Sequence, residues 1–350
     1  MTNQNTDTNS TQRQPRGVHL NGSVPLTNSE EVFRTASSIL GGRLHRIPDG
    51  ETGDRTNWIG WQIQFFAANP SFEIVQQDRD AYVPQPTAKL RPHVTASEIV
   101  FNNIGYADAA IASYAVFSRL KQDGVIPANY RFQVSLPTPL APVMAFVGPE
   151  NMSKVEPAYE AAMFAELDRI AAAIPHHELA IQWDVAVEFG ILEGMFGDSS
   201  QVNQEIIERL IRIGERVPAD IELGYHLCYG DAGHKHFKEP EDTSKLVEIA
   251  NAISAGVKRP INWIHLPVPR NRTDEAYFAP LRNLKLHPET ELYLGLVHYT
   301  DGVEGTRKRI QAAQQVVSNF GVATECGFGR RSPETIPALL RIHSEVAAPV

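Results

Sequence analysis

The chain has 350 residues, 42% hydrophobic and 21% charged, which is enough to bury a full core and close to the size of one α/β barrel. Its 32 Lys and Arg against 41 Asp and Glu give a net charge of -9, leaving no positive field for phosphate backbones and excluding nucleic acid as the expected partner. There is no apolar run of membrane-spanning length, and the start MTNQNTDTNSTQRQPR is polar after Met1, unlike a signal peptide, so a soluble, cytoplasmic protein is expected.

Residues 1–16 contain almost nothing apolar and are expected to form a disordered tail. Over 17–350, short β-branched or apolar runs alternate with amphipathic segments, the pattern of repeated βα units around a parallel sheet. Strands are predicted at Val18–Asn21, Leu44–Ile47, Arg131–Ser135, Leu179–Asp184, Asp220–Leu227, Trp263–Leu266, Glu291–Val297 and Val322–Thr324. Helices with apolar residues at i, i+3, i+4 and i+7 are predicted at Glu30–Leu40, Ala107–Gln122, Ala158–Ala173, Asn203–Arg216, Thr243–Ala255, Thr306–Val317 and Pro333–Val346. This count predicts an α/β fold, a single-domain (β/α)8 TIM barrel. Segment 72–95 has no helical period and carries Pro84, Pro86 and Pro92, which predicts an irregular insertion or hairpin arm ahead of the third strand.

Barrel enzymes place their chemistry where strands run into the following loops. Those positions hold Gly22-Ser23, Asp49-Gly50-Glu51, Ser135, Asp184, His226-Leu227-Cys228, His265, His298 and Cys326. The chain has only 2 Cys against 12 His, which excludes a disulfide scaffold, and both cysteines fall at strand ends. Residues i and i+2 of a strand share a face, so His226 and Cys228 can converge on one ion. Zinc takes nitrogen and sulfur ligands in a tetrahedron; Cys326 is the candidate third ligand and His265 the candidate fourth. The bland alternative is that all four are ordinary core residues, cysteine being among the most buried types.

H-L-C-Y (His226–Tyr229) followed by E-C-G-F-G-R-R (Glu325–Arg331) resembles the zinc signature in the catalytic C-terminal barrel of the cobalamin-independent methionine synthase family. N-G-S (Asn21–Ser23), D-G-E-T-G-D-R (Asp49–Arg55), I-Q-W-D (Ile181–Asp184) and G-L-V-H-Y (Gly295–Tyr299) resemble further motifs of that family, in the same order. The resemblance implies zinc held by His226, Cys228 and Cys326, substrate contacts from Ser23, Glu51 and Asp184, and acid/base work by His298. It also shows departures. His265 stands where the family has a zinc-binding Glu, Val185-Ala186 replace its E-P, and the N-terminal half of the full-length synthases has no counterpart. A site with one negative charge fewer leaves the metal a stronger Lewis acid and its thiolate less nucleophilic.

These readings imply a zinc-dependent transfer of a methyl or alkyl group to a thiol, with a small-molecule thiol and an alkyl donor as partners. The alternatives are a corrinoid-dependent methyltransferase served by a separate corrinoid protein, an epoxide-opening thiol transferase, a metal-free uroporphyrinogen decarboxylase-like enzyme, or a zinc-stabilised binding protein closed by His265. Arg55, Arg330 and Arg331 are candidate anion clamps or plain surface arginines. His234 and His236 are expected to be solvent-exposed. Trp58 and Trp61 are expected to pack in a helix, or to wall a pocket near Glu51.

Overall fold

The strands of the computed structural model, in chain order, are β1 (Arg46–Pro48), β2 (Phe72–Val75), β3 (Thr87–Leu90), β4 (Arg131–Pro137), β5 (Leu179–Val185), β6 (Glu222–Leu227), β7 (Trp263–Pro267), β8 (Glu291–Val297) and β9 (Gly321–Thr324). It describes residues 14–76, 86–195 and 203–350; the expected tail up to residue 13 and the segment 77–85 of the expected insertion lie outside the described residues. Seven strands form one parallel sheet in the order β1-β4-β5-β6-β7-β8-β9. Every residue of β5 is buried, as a strand covered on both faces requires. The expected helices are present with end shifts: Ser29–Leu40, Tyr106–Gln122, Met152–Ala173, Asn203–Arg216, Ser244–Gly256, Gly302–Gln314 and Ile336–Val346. Among the described residues, no helix is long and apolar enough to cross a membrane.

This curled sheet fits the expected TIM-like α/β fold, with seven strands in the ladder where eight in a closed barrel were expected. The first expected strand, Val18–Asn21, is a bridging segment: Val18 N–H donates to Arg43 O at 2.8 Å on one side, and His19 N–H to Val322 O at 2.9 Å on the other. Its one sheet bridge is Val18 to Val322. Gly17 and Gly22, at φ 88° and 141°, leave the extended conformation at both of its ends, which limits the ladder to that bridge. Residues 14–16 are held rather than loose. Arg16 N–H donates to Phe320 O, and Ala348 N–H donates to Pro15 O. The expected insertion contains a hairpin, with β2 and β3 antiparallel from Phe72↔Leu90 to Val75↔Thr87.

At the N-terminal ends of the strands, charge fills the sheet interior. Arg46 is buried between Glu222 Oε2 at 2.5 Å and Glu291 Oε2 at 2.7 Å, with its guanidinium 4.2 Å from the Trp263 ring centre. His45 Nε2 meets the other oxygen of Glu291 at 3.0 Å. Burial opposes ionisation of Glu291, but His45 and Arg46 outweigh it and draw its carboxyl from 4.5 down to about 2. A depressed carboxyl stabilises the fold above its unfolded pKa and loses that contribution as pH falls toward the folded value. Glu291→Gln is therefore expected to lower stability at pH 7 by on the order of 1–2 kcal/mol. Urea midpoints of the two proteins should converge as pH drops from 4.5 toward 2; a difference that persists unchanged there would contradict an ionic origin.

Candidate metal centre

Parallel register assembles the site. Asp184 of β5, His226 of β6 and His265 of β7 are partners across three adjacent strands, with Gln182, Gly224 and Trp263 as the level beneath. Gly224 is required there, because a Cβ would lie 1.9 Å from Trp263 Cε2. Cys228 follows the end of β6, and Cys326 lies in the loop after β9. Their sulfurs are 3.8 Å apart, and Gly230 N–H donates to Cys228 Sγ at 3.3 Å.

The ligand atoms of His226, Cys228 and Cys326 all lie within 4.8 Å of one another. His226 Nε2 is buried with the Cys326 thiol beside it and makes no hydrogen bond of ordinary geometry, an arrangement that a cation taking its lone pair would relieve. The adjacent Cys228 thiol, together with burial, holds Cys326 well above the ordinary thiol range. Contact with Cys326 outweighs burial and raises His226. One nitrogen and two sulfurs so placed fit a thiophilic divalent ion.

His265 does not join these ligand atoms. Its Nδ1 is 2.7 Å from His226 Nδ1 and its Nε2 is 3.0 Å from Thr324 O, so both ring nitrogens are engaged elsewhere. It is fully buried, and burial followed by the neighbouring His226 pushes its pKa well below the usual imidazole value.

A cavity of about 90 Å³ opens onto the cluster, and its walls include Ser23, Glu51, Trp58, Asp184, Asp231 and Arg330. A larger hollow of about 880 Å³ lies at the opposite end of the strands, around His45, Glu291 and Phe320, away from the cysteines. Burial, then Asp184, raises Glu51 well above the carboxylate range, and burial pushes Asp184 up to about 6. Glu51 and Trp58 both have positive φ, 47° and 49°, an uncommon backbone state for non-glycine residues that concentrates at functional sites.

The family-like motifs acquire physical reasons. Asp49 accepts from Glu51 N–H at 2.8 Å and Ser113 Oγ at 2.7 Å and pairs with Arg55 at 2.6 Å, so Arg55 secures the Glu51 turn. Gly22 passes so close that a Cβ would sit 3.0 Å from Glu51 Oε1 and 3.1 Å from Ser135 Oγ. Ser23 Oγ accepts from Gly329 N–H at 3.2 Å, docking the Asn-Gly-Ser turn on the loop after Cys326. Gln182 donates to Asp184 Oδ1 at 2.8 Å and Asn21 O at 2.7 Å, while its Oε1 lies 2.7 Å from His19 Nε2.

His298 is set back from the cavity. Its Nε2 is 2.9 Å from Val268 O and its Nδ1 3.6 Å from Glu325 Oε1. Glu325 is buried and pairs with His236 Nε2 at 3.0 Å. The expectation of an exposed His236 is thereby corrected: Phe237 N–H donates to Tyr229 O, folding the polar loop back over the sheet. His234 remains partly exposed, 3.7 Å from Asp231. Asp231, pushed up to about 7 by burial and then by Glu325, lines the cavity, with Glu325, His236 and Gln182 outside its lining, and sequence reasoning gave none of the four a role. Their signal was proximity in sequence to His226-Leu227-Cys228, Cys326 and Asp184.

An α/β fold with a curled parallel sheet and a His/Cys/Cys cluster at its C-terminal end defines the class. No protein-family model matches the chain, and no curated protein matches it in sequence. Solved structures do. A vitamin-B12-independent methionine synthase from Shewanella sp. W3-18-1, in complex with selenomethionine, matches at TM-score 0.62 and 16% identity over 95% of this chain and 96% of its own. A protein from Listeria monocytogenes designated a vitamin-B12-independent methionine synthase matches at 0.59 and 15%, covering 96% and 99%. A methyltransferase from Methanosarcina mazei matches at 0.55 and 12%, covering 95% and 94%. At these identities the likeness establishes a shared fold.

Proposed function

We propose that this protein is a zinc-dependent transferase that moves a methyl or alkyl group to a small-molecule thiol. One observation carries the reading: the unpartnered His226 Nε2 faces two thiols at the floor of a cavity whose wall holds Glu51 and Asp184. The fold shared with methionine synthase-like and methyltransferase proteins supports it.

His226, Cys228 and Cys326 would hold the zinc, and the metal supplies deprotonation of a bound thiol at neutral pH. Everything else is done by the chain. Glu51, raised by burial and then by Asp184, and Asp184, raised by burial, would each ionise to accept a substrate ammonium through charge-assisted hydrogen bonds. Ser23, whose oxygen already accepts from Gly329 N–H, keeps its hydroxyl proton free for a substrate carboxylate. Arg330 at the cavity wall offers a second cation for an anionic group. His298 lies outside the cavity lining with its Nδ1 3.6 Å from Glu325 Oε1, so a proton it handles would be shared with that carboxylate.

Cobalt(II) substitution tests the reading. The expected result is thiolate-to-cobalt absorption that depends on Cys228 and Cys326 and changes when homocysteine is added, with methyl transfer from a suitable donor in the zinc form. A cobalt spectrum indifferent to every added thiol would mean a closed site and would sink the transferase reading.

A further inference from the structure

Three imidazole nitrogens and one carbonyl form an unbroken chain behind the cysteines. Thr324 O can only accept, so the His265 Nε2 atom 3.0 Å from it carries a hydrogen. His265 Nδ1 is then the lone-pair nitrogen of a neutral ring, and it lies 2.7 Å from His226 Nδ1. That distance is a hydrogen bond only if His226 Nδ1 carries the proton between them. The remaining atom, His226 Nε2, is left as a bare lone pair, and it is the buried atom without a hydrogen-bond partner beside the two sulfurs. A single tautomer for each ring satisfies every contact, and the strand register that pairs His226 with His265 fixes the two rings at the same level.

We propose that His265 is a positioning residue: it accepts the Nδ1 proton of His226 and so keeps the Nε2 lone pair aimed at the metal position between Cys228 and Cys326. This rests on the metal reading above and deepens it. A histidine that serves the ligand from behind would leave three protein ligands for the ion, at a cluster that also borders the cavity of Ser23, Glu51 and Asp184. That is the arrangement of a site that exchanges a ligand; four protein ligands would close it. The nearest protein analogue is the outer-shell partner that fixes the tautomer of a metal-binding histidine. Here the partner is a second imidazole, anchored in turn by a backbone carbonyl that cannot rotate away.

The test begins on the metal-free, thiol-reduced protein. Two-bond 1H–15N correlation spectra report which ring nitrogen is protonated, and the His226 signals are identified by their absence in His226→Asn. The expected wild-type result is His226 protonated at Nδ1 and His265 protonated at Nε2. His265→Gln, which retains an acceptor, should keep the His226 tautomer and hold zinc affinity within about 3-fold. His265→Leu, which has none, should lose that tautomer preference and weaken zinc binding by about 10–100-fold, the usual cost of removing an outer-shell partner. His226 protonated at Nε2 in the wild type overturns the proposal even if the Leu variant fails to fold. A folded Leu variant with unchanged tautomer and affinity overturns it as well. Failure of the wild type to bind zinc or cobalt at all would instead overturn the metal reading, and the tautomer spectra would still decide the role of His265.

Discussion

Cys326→Ser is expected to strip the protein of zinc. Three protein atoms hold the ion in the proposed site, and structural zinc sites with four ligands bind by ~10–16 kcal/mol, so each ligand supplies about 3–4 kcal/mol. Replacing a thiolate by a hydroxyl, a hard and neutral donor at pH 7, should lower affinity by on the order of 10²–10³-fold, and activity with it. Competition against a chromophoric chelator measures the affinity. Cys228→Ser should behave alike, because its sulfur stands only 3.8 Å from that of Cys326 and the pair is chemically equivalent toward the metal. Urea midpoints should move little in the metal-free state, since Ser has the same heavy-atom count with oxygen in place of the larger sulfur and Cys326 is only half-buried. Stoichiometric zinc in purified Cys326→Ser, bound as tightly as in the wild type, would rule the cluster out as the metal site.

The second large effect falls on the carboxyl pair. Truncating one partner of a buried charged hydrogen bond costs about 2–5 kcal/mol. Glu51→Gln should therefore reduce kcat/KM for an amine-bearing thiol by roughly 30- to 5 × 10³-fold. A thiol of similar shape without the amine should change by less than about 3-fold, because it never used the carboxylate. The pH dependence follows from the raised pKa. Asp184, pushed up to about 6 by burial, accepts an ammonium only while ionised, so KM for the amine-bearing thiol should climb as pH falls below about 6. Steady-state kinetics with the two thiols from pH 5 to 8 separate these outcomes. Equal losses for both thiols would place Glu51 in support of the turn rather than in contact with substrate.

How much of this was legible in the residues depended on periodicity. The alternation of β6 and β7 put His226, Cys228 and His265 at strand ends, and the register sets His226 beside Asp184 and His265. The sequence could not say which of two adjacent imidazoles presents its nitrogen to the sulfurs, because that depends on the Thr324 carbonyl, a backbone atom of a distant strand. Glu325 escaped notice for a related reason. Alternation places a residue between Thr324 and Cys326 on the outside, but β9 ends at Thr324, and Thr324 Oγ1 donates to Cys326 O at 2.6 Å in a turn that carries Glu325 inward. His236 was hidden by composition: a loop of Gly, Asp, Lys and Glu reads as solvated until Phe237 is seen bonded to Tyr229. The first strand failed on Gly17 and Gly22, whose backbone freedom the apolar pattern of Val18 and Leu20 does not register.

The bond from Gly329 N–H to Ser23 Oγ joins residues 306 apart in the chain. Phe328 N–H donates to Ser23 O at 2.6 Å beside it, so the turn carrying Ser23 is seated by a loop synthesised almost last. A nascent chain that has emerged only as far as β8 has neither Cys326 nor the surface on which that turn rests. If the cluster binds metal as proposed, capture of the ion would await nearly the whole polypeptide, because contacts of this sequence separation complete the pocket. A chain truncated before Cys326 would lack one of the two thiols of the proposed site and the loop on which the Ser23 turn rests.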